Sequence, residues 1–117
     1  MNREAVIACC AAKPAAVDTY PFGDGVLVFK VGGRMFALVS LDGERGSVSL
    51  KCLPELAVVL RSSYPAVRAG YHLNKRHWNT IELDDSLPAD ELTDMIAHSY
   101  DLVVSSLSRK VRASLRS

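Results

Sequence analysis

The dipeptide Gly32-Gly33 stands between two runs of strand-forming residues, and it constrains the chain more than any other feature. Adjacent glycines tolerate the positive φ that a two-residue hairpin turn demands, so Gly25 to Val31 and Arg34 to Leu41 are expected to pair as antiparallel strands. Asp42-Gly43-Glu44-Arg45-Gly46 then makes a longer turn into a third strand, Ser47 to Cys52, on which Val48, Leu50 and Cys52 share a face. Such a meander buries one face and needs a second layer to cover it.

Helical periodicity supplies that layer. A short helix is expected before Lys13. Pro54 opens a second helix with Leu53, Leu56, Ala57, Leu60 and Tyr64 on one side, ended by Tyr64-Pro65. A last helix starts near Pro88, with Asp90, Glu91 and Asp94 in its early turns. Leu92, Met95, Ile96, Tyr100, Val103 and Leu107 form its stripe, and Arg109, Lys110 and Arg112 stand at its end. Before it, Trp78 to Leu83 reads as a shorter strand paired with residues near Tyr71 to Leu73. The order α-β-β-β-α-β-β-α predicts an α+β fold, an antiparallel sheet with helices packed on one face. No linker or repeat divides residues 1–117, so a single domain is expected.

Charge narrows the function classes. Fourteen basic residues face 13 acidic ones in 117 residues, a net charge of +1, which excludes a strongly basic nucleic-acid binder. The sum hides an uneven distribution. Residues 56–81 carry Arg61, Arg68, Lys75 and Arg76 with no acid, 82–101 carry seven acids with no base, and 102–117 carry four bases with no acid. An acidic start and basic end complement the dipole of the last helix, whereas the 56–81 block has no such explanation. The longest apolar run, Ala5 to Ala12, is far short of the roughly 20 residues needed to span a bilayer. Cys9 and Cys10 are adjacent and Cys52 is an odd third, a pattern that fits reduced thiols in the cytoplasm.

The stretches Tyr20-Pro21-Phe22-Gly23, Phe29 to Ala37, Leu50-Lys51-Cys52 with Pro54-Glu55, Gly70 to Thr80, and Ser99 to Val103 occur in this order. Together they resemble the small bacterial MmcQ/YjbR family. The resemblance implies a compact α+β fold and DNA binding through a double wing of two β-hairpins. Two departures are visible: Leu53 stands where the family pattern has an aspartate before the proline, and Arg34 where lysine is common. Losing an Asp cap typically costs about 0.5–2 kcal/mol.

Asn74-Lys75-Arg76-His77-Trp78-Asn79 concentrates two cations, an imidazole, two amides and the only tryptophan. Exposed Lys75 and Arg76 suit phosphates, Asn74 or Asn79 suits backbone or base edges, and His77 or Trp78 offers a stacking face. Against this stands Trp78 as a core residue with cations flanking an edge strand. The wings would be the hairpin flanked by Lys30 and Arg34 and the turn holding Arg45. The candidate DNA-binding residues are therefore Lys30, Arg34, Arg45, Asn74, Lys75, Arg76 and His77.

His72, His77, His98 and the cysteines show no metal-ligand spacing, so no metal or cofactor is expected. Cys52, before a helix N-terminus, is expected to be packed rather than reactive. His98, Ser99, Tyr100 and Asp101 are neighbours on one helix and do not face each other, so Tyr100 is expected to pack and Ser99 or Asp101 to bond an adjacent loop. No catalytic constellation is recognisable and no enzyme is expected. The alternative to DNA binding is a protein-interaction or chaperone-like module that engages a protein partner or a second copy of itself as a homodimer, motivated by many aliphatics and a mean hydropathy of +0.10.

Overall fold

In the computed structural model, which describes residues 1–115, six strands form one antiparallel sheet in the order β1-β2-β3-β4-β6-β5. The strands are β1 (Val17–Thr19), β2 (Val26–Val31), β3 (Arg34–Ser40), β4 (Ser47–Lys51), β5 (Val67–Ala69) and β6 (Trp78–Glu82). Gly32 and Gly33 close the β2–β3 hairpin with φ of +58° and +83°, as two-residue hairpin turns require. Helices α1 (Arg3–Ala11), α2 (Pro54–Ser63) and α3 (Ala89–Ser106) cover one face, with α4 (Arg109–Ser114) following.

Period-two alternation decides which side chains meet the helices. Leu27, Phe29 and Val31 of β2, Ala37 and Val39 of β3, and Val48 and Leu50 of β4 point into the core, joined by Ile81 of β6 and Val67 of β5. Phe36 joins them because the β2–β3 register shifts at Phe29 and Lys30. Helix α3 lies across β2, β3 and β4 and supplies Leu92, Ile96 and Val103, while α2 lies against β5 and β6. Ser99, fully buried, ties α3 to the sheet: its Oγ accepts from Lys51 N at 2.9 Å and donates to Phe36 O at 2.6 Å. Tyr100 donates to Pro14 O at 2.6 Å and meets Phe36 edge-on at 5.3 Å between ring centroids. Ser99 and Tyr100 of the catalytic-looking run on α3 are thus occupied in packing, and Asp101 is exposed.

The α+β class and the one-sided helix layer are as the sequence predicts, and four details differ. Val17–Thr19 adds an edge strand. The partner of β6 is Val67–Ala69, with Val67 opposite Ile81, and not Tyr71 to Leu73. The latter residues turn away at His72, whose φ is +58°. The last helix is two: Leu107 is extended, and the Ser108 hydroxyl caps α4 by accepting from Val111 N at 3.2 Å. Arg109, Lys110 and Arg112 therefore sit on α4, and the last turn of α3 has no base. Finally, Leu53 and Leu56 of the expected apolar side of α2 are exposed, and only Ala57 is fully buried there. Leu53 provides no side-chain cap to α2.

Candidate nucleic-acid interface

Strand register sorts the candidate residues by position. The β2–β3 hairpin lies at one end of β3 and the 42–46 turn at the other, about 20 Å apart at roughly 3.3 Å per residue. Lys51 pairs with Trp78 at the hairpin end of β4 and β6, so the loop leading into Trp78 emerges at that same end. Lys30, Arg34, Asn74, Lys75, Arg76 and His77 are thereby gathered at the hairpin end, and Arg45 is not. The two expected wings point to opposite ends of the sheet.

The gathered residues also divide between faces. Lys30 follows the core residue Phe29 and takes the open face of the sheet. Arg34, opposite the buried Val31, takes the helix side, where its Nη1 donates to Ser106 Oγ at 3.2 Å. Beneath it α4 packs onto the hairpin tip, since a side chain at Gly32 would meet Leu107 at 2.6 Å and Val111 at 3.1 Å. Arg109, Lys110 and Arg112 thus join Arg34 at this end; Arg116 lies outside the described residues. Lys51, outward between Leu50 and Cys52, is a further cation that alternation alone would have placed here.

The 74–79 segment is held by its own hydrogen bonds. Asn74 Oδ1 accepts from Arg76 N at 3.0 Å, and Lys75 Nζ donates to Gly70 O at 2.9 Å. Cys52 N donates to His77 O at 2.8 Å. Arg61 clamps the segment from α2: its Nε donates to Asn79 Oδ1 at 2.6 Å and its Nη2 to the carbonyl of Lys75. Asn79 itself is buried, donating to Ala57 O at 3.3 Å, so it has no edge to offer a base. Trp78 is half-buried on the open face opposite Lys51, outside the helix-covered core. Arg76 and His77 are exposed, and among the described residues the Arg76 side chain has no hydrogen bond or ion pair.

The acid-free block 56–81 therefore has a structural explanation after all. Arg61 is the clamp, Arg68 pairs with Glu82 at 2.7 Å, and Lys75 satisfies a carbonyl, which leaves Arg76 as its free charge. Arg45, at the far end, donates to Asp84 O at 3.0 Å, and Asp84 is held below the usual carboxylate range chiefly by hydrogen bonds from Ser86, with Arg45 adding to the effect. Burial pushes Cys10 up to about 12 and raises Cys52 as well, so both thiols are packed and protonated. Among the described residues no group of three His, Cys, Asp or Glu is arranged to hold a metal ion, and no helix is long and apolar enough to cross a membrane.

The YjbR family model matches residues 11–102. The chain belongs to the YjbR family. It is 39% identical over 106 residues to the uncharacterized protein YjbR of Escherichia coli (strain K12), covering 91% of this chain and 90% of that one. To the uncharacterized protein YbdF of Escherichia coli O157:H7 it is 33% identical over 97 residues, covering 83% and 80%. The YjbR-type fold recurs in the crystal structure of Deinococcus radiodurans protein DR2400, a DUF419 domain, with a TM-score of 0.92 at 36% identity over 98% of this chain and 88% of that one. A Pseudomonas syringae protein matches with a TM-score of 0.76 at 27% identity, over 88% and 99%. The resemblance read from the residues is borne out, and it carries the family and the fold.

Proposed function

We propose that this YjbR-family chain binds the phosphate backbone of DNA with the hairpin end of its sheet. What carries the reading is register: Lys30, Arg34, Lys51, Arg76 and the bases of α4, remote in sequence, stand at one end and outnumber Glu55 and Asp101 there, while Asp42, Glu44, Asp84 and Asp85 belong to the other with Arg3 and Arg45. Such a polarity suits a polyanion approached end-on, and it needs no net positive charge. Lys75 and His77 flank Arg76, Asn74 shapes the loop that presents it, and Arg45 plays no part.

Fluorescence anisotropy of a labelled duplex across salt concentrations tests this. Affinity is expected to fall linearly on a log–log plot, and each phosphate-contacting cation removed lowers the slope by about one. Lys30→Ala with Arg76→Ala should flatten the slope by about two. If the duplex does not bind, or if the double variant keeps the parent slope, the reading fails.

One observation favours a second reading, a protein-interaction surface. Leu53, just before α2, and Leu56, Val58 and Val59 on it are all exposed. Light scattering checks it: a salt-insensitive dimer that Val58→Glu dissociates would place the contact on α2.

A further inference from the structure

The open face of the sheet holds a cavity of about 760 Å³ that the basic end does not use, a size typical of small-molecule sites. Leu38, Ser49 and Thr80 form its floor, and Phe22 makes one wall. Tyr71 and His72, from the loop after β5, line it as well. These residues stand over the sheet because Tyr71 N donates to Thr80 Oγ1 at 2.9 Å. Both wall rings are open, with Phe22 63% and Tyr71 60% exposed.

The Tyr71 ring is braced. The Arg68 guanidinium carbon lies 5.4 Å from its centroid, and the His72 ring is 4.0 Å away. Arg68 is in turn fixed by two hydrogen bonds to Glu82 Oε1, at 2.9 and 2.7 Å. A ring held in place loses little freedom when something stacks on it. Phe22 has no ring partner among the described residues, so its face is available.

Counting protons identifies a donor. Thr80, only 1% exposed, already accepts from Tyr71 N, and its oxygen lies 2.8 Å from Ser49 Oγ. No other acceptor reaches the Thr80 proton, so it goes to Ser49, and the Ser49 proton is left for an occupant of the cavity. Glu82 supplies the complementary acceptor, since both Arg68 contacts use Oε1 and leave Oε2 free.

We infer that this cavity takes an unpaired nucleobase, its ring stacked on Tyr71 with Phe22 as a second apolar contact and its edge on the Ser49 hydroxyl and the Glu82 carboxylate. A base has a flat π face and carries donor and acceptor on one edge, whereas a purely apolar ring would leave both polar groups unmatched. A carboxylate acceptor favours bases with an exocyclic amino group, so adenine, cytosine and guanine are expected to exceed thymine, whose only edge donor is N3–H, by about tenfold. The base arrives as a free nucleoside or as part of a single strand. The site stands without the basic-end reading, because a nucleoside carries no phosphate.

The test titrates the full chain with adenosine, with thymidine and with short adenine-only and thymine-only single strands, following Phe22 and Tyr71 ring resonances by NMR. Adenosine, the adenine strand or both are expected to shift these resonances. Phe22→Ala and Tyr71→Ala should each weaken that binding by about tenfold or more, and Glu82→Gln should erase the preference over thymine. Lys30→Ala with Arg76→Ala should leave adenosine binding unchanged. Adenosine binding without strand binding assigns the site to a free nucleoside, and the reverse to a strand. If neither ligand moves the two rings, or if both aromatic variants bind as the parent does, the inference is overturned. Duplex binding at the basic end would survive that result.

Discussion

The two ends of β3 handle charge in opposite ways. At the 42–46 turn every cation is engaged at once: Arg3 Nη1 donates to Gly43 O at 3.2 Å and Ser40 O at 3.4 Å, Arg45 donates to Asp84 O, and the Met1 amino group lies 3.6 Å from Asp85. At the hairpin end Arg76 extends into solvent, and the bases of α4 face no acid of their own helix. A local excess of cations is therefore uninformative until the carbonyls and carboxylates around it are known. Arg61, Arg68, Lys75 and Arg76 are similar in sequence context, and their partners make the first three structural.

Glycine substitutions carry the largest expected effects and test the packing of each end in turn. Gly46→Ala at φ +77° would put a Cβ 2.4 Å from the backbone Ser40 O and is expected to lose about 2–5 kcal/mol in urea unfolding, while Gly32→Ala meets the movable end of Leu107 and is expected to lose less, about 2–3 kcal/mol. Gly33→Ala and Gly43→Ala, with nothing within 4 Å, carry only the left-handed strain of about 1–2 kcal/mol. Equal losses for Gly32 and Gly33 would mean that α4 does not brace the hairpin.

Next in size is Arg61→Ala. It strands the buried Asn79 oxygen and should cost about 1–3 kcal/mol, with faster amide exchange at His77. A smaller effect separates the two arginines of the ends: Arg76→Ala should lower the DNA salt slope by about one, and Arg45→Ala should leave it unchanged. Equal responses would dissolve the distinction between the ends.

Two titrations complete the set. The folded-state pKa of Cys10 is raised, so its contribution to stability is whole below its ordinary value of 9.0 and is lost as pH rises toward about 12. Cys10→Ala should flatten that alkaline limb. Asp84 is depressed, so its contribution is present above the ordinary carboxylate pKa and is lost as pH falls through the lowered value. Asp84→Asn should flatten the acid limb slightly, which acid titration followed by circular dichroism will measure.

The central elements were legible because their signals are local: paired glycines, Pro54 at a helix start, alternation from Ser47 to Lys51. Val17–Thr19 and Val67–Ala69 were not, since three residues are too few to display a period. The break between α3 and α4 is masked because Leu107 and Val111 prolong the apolar stripe while Ser108 caps a new helix. Six of the seven candidate DNA contacts fall at one end, but the separation of Arg45, the clamp on Asn79 and the Arg68–Glu82 pair all depend on register between distant segments. The cavity was illegible for the same reason, drawing Phe22, Ser49, Tyr71 and Glu82 from four places in the chain.

The brevity of the outermost strands also bears on solubility. With only Val17–Thr19 and Val67–Ala69 at its borders, the sheet offers an incoming chain a template too short to extend. Arg68 at the middle of one border adds a charge there. A protein with an open sheet face is thereby protected from stacking edge to edge into fibrils, and its long central strands are shielded by their own neighbours.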